Sequence, residues 1–175
     1  MSVPKYSARW PLYAKQWDRM ARTRMSSEIA VAKKILTHKA RYQAVEKRTG
    51  VPWYWIACAH YRESDIDFNT QLAQGDPLGK VSTHVPKGQG PYFGKDAWER
   101  AALIALEGDP SRPETNLTKV TDWRLEKMIY HWEQYNGWGY YNHSVPSPYG
   151  GGGASIQKPG KYVADGVWRP TAVDQ

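Results

Sequence analysis

The chain has 175 residues and a mass of 20.0 kDa, enough for one compact domain with its own core and too few for two of ordinary size. Hydrophobic residues make up 41% and charged residues 23%, which excludes wholesale disorder, and the longest apolar runs, Trp53 to Ala59 and Ala101 to Leu106, fall far short of the ~18 residues a membrane span needs. Of the net charge of +7, residues 1 to 50 hold 12 bases against 3 acids, so the positive field belongs to the N-terminal third and suits an anionic partner surface.

The first fifteen residues contain prolines, Lys5, Arg9 and Lys15 but no apolar stretch, so no cleavable secretory signal is expected and the chain is read as released into the cytoplasm. A short basic helix is expected at about Ala14 to Arg24. Ser26 or Ser27 then caps a longer helix running to Thr49, with Ile29, Ala32, Leu36 and Ala40 on one stripe, Ile35, Tyr42 and Val45 beside it, and Gly50 as its stop. Its lysines and arginines are read as a solvated outer face.

Pro52 opens the next helix, Trp-Tyr-Trp-Ile-Ala-Cys-Ala-His-Tyr-Arg-Glu-Ser. This segment is apolar nearly all round, which predicts a buried central helix. Cys58, the single cysteine, excludes an internal disulfide and is read as packing. From Asp65 to Gly94 the texture turns to Gly, Pro, Asp and Asn, and two short antiparallel strands, Phe68 to Ala73 and Leu78 to Val85, are expected around Gly75 and Asp76.

Helical pattern returns at Lys95 to Glu107, with Trp98, Ala101, Ala102, Ala105 and Leu106 inward. A last helix is expected at Asp122 to Tyr135, capped by Asp122 and placing Leu125, Met128, Ile129, Trp132 and Tyr135 on one stripe. The tail from Asn142 reads as irregular chain with one short helix. The fold class is therefore mainly α: a single helical domain around a buried central helix, with a small β-hairpin after it. Residues 1 to 50 form its basic helical part and 51 to 168 its core.

Nine of the 23 aromatic residues are Trp and 12 are Tyr. Flat apolar faces with polar edges suit either core packing or stacking against a ring-bearing polymer.

Glu63 is the leading chemical candidate. It follows Ile56 by seven positions, Ala59 by four and His60 by three, so it shares the face they bury. It also stands in the last turn, at the negative end of the helix dipole. Desolvation and dipole both oppose ionisation, and a carboxyl kept protonated near neutral pH is what a general acid needs to protonate a leaving oxygen. The competing reading is a surface glutamate paired with Arg62.

A glycosidic bond needs a second group as well. Asp65, Asp67 and Asp76 follow Glu63, and Asp76, in a Gly-Asp-Pro-Leu turn, is the best placed to face it; an ordinary turn aspartate is the alternative. Thr83 is a further candidate, positioning the water. No zinc-binding His pair, nucleophile elbow or phosphate-cradling loop is present. His60 with Glu63 is a weak metal pair, and His38, His84, His131 and His143 are dispersed, so no metal or cofactor is expected.

Arg-Glu-Ser at Arg62 to Ser64, ending an apolar helix, resembles the Glu-Ser motif of goose-type lysozymes and lytic transglycosylases. Gln-Tyr-Asn-Gly at Gln134 to Gly137 is similar to their Ala-Tyr-Asn-x-Gly motif. The stretches Phe68 to Leu78, His84 to Pro91, Ser147 to Tyr149 and Gly160 to Gly166 look like phage and bacterial proteins of the lysozyme-like superfamily. The resemblance covers about Val51 to Trp168.

It implies a lysozyme-like α+β domain that cleaves the glycan strand of peptidoglycan, with Glu63 matching the family's acid, Tyr135 and Asn136 on the wall of the sugar-binding groove, and Tyr149 or Tyr162 near it. The order Glu63, Asp76, Thr83 is similar to the Glu, Asp, Thr order of phage lysozymes, and the Gly-Leu-Met-Gln motif of the transglycosylases is absent. The expected activity is therefore that of a muramidase of the phage endolysin type, acting on the bacterial cell wall. Alternatives are a lytic transglycosylase and a non-catalytic wall-binding or virion structural protein. Expected partners are peptidoglycan glycan strands, with electrostatic contact between the basic N-terminal part and an anionic envelope. Nucleic acid is not expected, and the chain is read as a monomer.

Overall fold

Apolar spacing of three and four residues recurs along most of this chain, and it is realised as helix. The computed structural model describes residues 4–173 and contains α1 (Tyr6–Arg19), α2 (Met25–Thr37), α3 (Lys39–Thr49), α4 (Trp53–Ser64), α5 (Ala97–Glu107), α6 (Leu125–Tyr135), α7 (Gly139–Asn142) and α8 (Pro148–Gly151). Two short strands, β1 (Lys161–Ala164) and β2 (Val167–Arg169), pair antiparallel, with Tyr162 opposite Trp168. The fold is thus mainly helical with a small hairpin. None of the helices described is long and apolar enough to cross a membrane.

The hairpin lies near the C-terminus, not after α4. Between Phe68 and Val85 the expected strands reduce to one isolated bridge, Thr70 with Pro77. Gln71 explains why. Its backbone N–H donates to the Asp76 carbonyl at 2.7 Å, its carbonyl accepts from Gly75 at 2.9 Å, and its buried side-chain amide donates to the carbonyls of Pro77 and Lys80. These bonds close the segment into successive turns, and Pro77 and Pro86 have no N–H to give a ladder.

Two compact units divide the chain. One takes in the residues up to Ile29 together with those from Asp122 onward, and the other comprises Ala30–Thr121.

In the Ala30–Thr121 unit, α3 packs on α4 and α5. Its core includes Tyr42, Val45, Trp55, Ile56, Ala59, Trp98, Ala102 and Leu106, all buried. α4 buries Trp55, Ile56, Ala57, Ala59 and His60 on one side, while Tyr54 and Tyr61 are exposed, so the helix expected to be buried all round keeps one face open. Burial pushes the Cys58 thiol up to about 11, which suits a packing role.

The long helix expected to reach Thr49 is broken at His38, whose ring packs 4.8 Å from that of Phe68. The break turns Tyr42 and Val45 into the core while Ile29, Ala32, Leu36 and Ala40 all stay exposed, so the stripe read as the apolar face is solvent-facing throughout.

In the other unit, α1 packs on α6, and α6 on α8. α1 begins at Tyr6, well before the expected start, with Pro11 inside it. A proline there costs about 3 kcal/mol of helix stability, and contacts with α6 offset it: Tyr6 and Tyr13 meet Tyr130 edge to face at 5.4 and 6.0 Å. The Tyr13 hydroxyl donates to Glu133, and the Arg9 guanidinium reaches the same carboxylate at 3.1 Å. α6 starts at Leu125, so Asp122 is not its N-cap residue; its carboxylate instead accepts from the Arg124 backbone at 3.2 Å and pairs with Lys127 at 3.0 Å. Leu125 is exposed, while Met128 and Ile129 are buried as expected.

Candidate active site

Helix α4 delivers Glu63 to its last turn, and the chain then turns sharply. Asp65 and Ile66 both take left-handed backbone angles, φ 51° and 65°; for the β-branched Ile66 this is strained geometry. It persists because neighbours fix it. Ile66 is buried, its N–H reaches the His60 carbonyl at 3.4 Å, and Lys34 binds both the Asp65 carbonyl and its carboxylate.

His60, one turn before Glu63, is enclosed by aromatic rings. Its Nδ1 meets the Tyr42 hydroxyl at 3.0 Å, and its Nε2 lies 3.1 Å from the Asp67 carbonyl oxygen and 3.2 Å from the Trp98 indole nitrogen. Burial lowers its pKa to about 4. A neutral ring already engaged on both nitrogens is a packing element of α4, which accounts for the histidine beside the candidate acid.

Glu63 itself is partly exposed. Burial pushes its carboxyl up to about 8, against a smaller downward pull from the neighbouring Arg62 guanidinium. It is therefore protonated at neutral pH, the state a general acid requires.

The turn carrying Asp76 is seated directly on this helix end. Gly75 has φ +70°, and a Cβ there would stand 2.9 Å from the Glu63 carbonyl oxygen. Only glycine lets the turn approach so closely.

Asp76 is 6% exposed. One carboxylate oxygen accepts from the backbone N–H groups of Thr83 and His84 at 2.8 and 2.9 Å. The other meets His84 Nδ1 at 2.8 Å and the Thr83 hydroxyl at 3.5 Å. Desolvation pulls its pKa upward, but the hydrogen bonds from His84 and Thr83 outweigh it and hold the carboxyl below its ordinary value. Asp76 and Thr83 are thus brought together.

Tyr135, Asn136 and Tyr149 lie in the other unit and also gather. The Tyr135 and Tyr149 rings are 6.3 Å apart, and the Asn136 amide donates to the Ser147 hydroxyl at 3.1 Å. Ser147 caps α8 through the Tyr149 N–H, which ties the end of α6 to the turn bearing Tyr149.

Two residues escaped sequence reasoning. His84 stands eight positions after Asp76 in irregular chain, where no periodicity pairs them. Glu133 is buried on α6 beneath Arg9 and Tyr13, and its only sequence signal is a carboxylate within an amphipathic helix. Compared with known protein families, characterised proteins and solved structures, the chain matches none of them.

Proposed function

We propose that this protein cleaves the glycan strand of peptidoglycan as a hydrolase, with Glu63 as the general acid. The observation that carries the reading is the protonated Glu63 carboxyl at the end of a buried helix, with a turn holding an ionised carboxylate seated against its backbone. Two carboxyl groups driven to opposite protonation states by their surroundings are the usual mark of glycosidic acid–base chemistry. The likeness of Arg62 to Ser64 and Gln134 to Gly137 to the motifs of lysozyme-like enzymes supports the substrate. Tyr135, Asn136 and Tyr149 are proposed sugar contacts, and the basic N-terminal third would favour an anionic envelope.

A second reading, a lytic transglycosylase, draws on Asp76. Both its oxygens already accept hydrogen bonds, which favours a scheme in which Glu63 serves as acid and then base while a sugar hydroxyl attacks. Digestion of purified peptidoglycan followed by mass spectrometry separates the two: reducing sugar ends are expected, and anhydro-sugar ends would replace the hydrolase with the transglycosylase. Glu63→Gln should abolish cleavage while the protein stays folded; an active Glu63→Gln enzyme would overturn both.

A further inference from the structure

The segment after Glu63 pairs Asp76 with a histidine, His84, that the proposed reaction has not yet used. Asp76 is buried, whereas the His84 side chain is 62% exposed. Nδ1 of His84 lies 2.8 Å from Asp76 Oδ1, and the His84 backbone N–H lies 2.9 Å from Oδ2. His84 is thus held at two points, its ring and its backbone, by one carboxylate. An ionised carboxylate can only accept, so Nδ1 of His84 carries a hydrogen, and the lone pair the ring has to offer as a base is the one on Nε2. None of the hydrogen bonds found among the described residues uses that nitrogen.

The loop bearing His84 is held in place on both sides. The Ser82 hydroxyl, itself buried, donates to the Pro86 carbonyl and accepts from the Gln89 N–H, and the Ser82 N–H donates to the Gln89 carbonyl. On the other side the Asp76 carbonyl is bound by Gln71, and Gly75 rests on the Glu63 carbonyl. A continuous set of contacts therefore runs from the backbone of the proposed acid to the imidazole.

We infer that His84, not Asp76, is the base that activates the attacking water, and that Asp76 is a positioning residue that fixes its tautomer and aim. The inference rests on the hydrolase reading. In the step, the water oxygen bonds to the anomeric carbon as Nε2 of His84 takes one water proton. The bond from that carbon to the glycosidic oxygen breaks, and the departing oxygen receives the Glu63 proton. His84 ends protonated and Glu63 ionised, and solvent returns the proton from one to the other after product release. A carboxylate whose oxygens are both committed to the loop is poorly free to take that proton, while an exposed imidazole held by a buried carboxylate is suited to it.

The test is steady-state kinetics of the full chain on soluble, uncrosslinked peptidoglycan strands, with Glu63→Gln as the reference. His84→Ala should lower kcat about a hundredfold or more with KM near the parent value, and added imidazole should restore part of the loss, which it could not do for a purely structural residue. Asp76→Asn should also lower kcat, and combining it with His84→Ala should cost little beyond His84→Ala alone. A folded His84→Ala enzyme with parental kcat, or one with only a raised KM, overturns the assignment while leaving Glu63 in place. An active Glu63→Gln enzyme instead removes the hydrolase reading itself.

Discussion

Gly75 rests against the backbone carbonyl of Glu63, so closely that a Cβ would stand 2.9 Å from the oxygen. This single approach couples the end of α4 to the turn that carries Asp76, and through it to His84. Gly75→Ala must push that contact apart in a left-handed conformation that alanine disfavours. It should destabilise the protein by about 1 to 3 kcal/mol, measured by urea unfolding, and it should lower activity more than Gly166→Ala, a position with a similar left-handed angle but nothing within 4 Å.

Glu63 makes stability fall with rising pH. Its folded pKa, about 8, lies above the ordinary glutamate value from which burial raises it. Below the ordinary value both states are protonated and nothing is lost. Between that value and about 8 the unfolded chain releases a proton that the folded one keeps, so unfolding is progressively favoured, by an amount on the order of 2 to 4 kcal/mol in all. Glu63→Gln removes this dependence. Its Tm should match the parent near pH 4 and exceed it at pH 8.

The same group sets the alkaline edge of activity. With Glu63 as acid, the rate on peptidoglycan should hold up to near neutral pH and decline above about pH 8 as the carboxyl ionises. A Glu63→Asp variant, with a shorter and differently buried side chain, should be slower and show a shifted edge. A pH–rate profile from 5 to 10 checks both.

Glu133 anchors α1 to α6 by accepting from Arg9 and Tyr13. Glu133→Ala leaves the partly buried Arg9 guanidinium without its countercharge and the buried Tyr13 hydroxyl without its acceptor, and should cost about 2 to 4 kcal/mol. Tyr13→Phe loses the hydrogen bond donated to Glu133 and the one accepted from Arg9 Nε, and should cost about 1 to 3 kcal/mol. Thermal melts rank the two, and α1 should then become the first segment to exchange its amide hydrogens.

The helical class and the places of α4, α5 and α6 were legible in the sequence because each carries its own evidence: Pro52 before α4, Gly108 after α5, and apolar residues at helical spacing throughout. Glu63 was legible for the same reason, since its distance from Ile56, Ala59 and His60 fixes its face without reference to the rest of the fold. The break at His38 and the early start of α1 were not. No Gly or Pro marks the first, Pro11 argues against the second, and both are decided by packing against Phe68 and α6.

The segment after Glu63 went furthest from expectation, since turn-rich sequence says that the chain bends but not what it encloses. Local spacing alone determined a mainly helical protein with a carboxyl at the end of an apolar helix. Only the tertiary structure decided that Asp76 gives its oxygens to Thr83 and His84, because hydrogen bonds spanning seven and eight residues of irregular chain obey no period that a sequence displays.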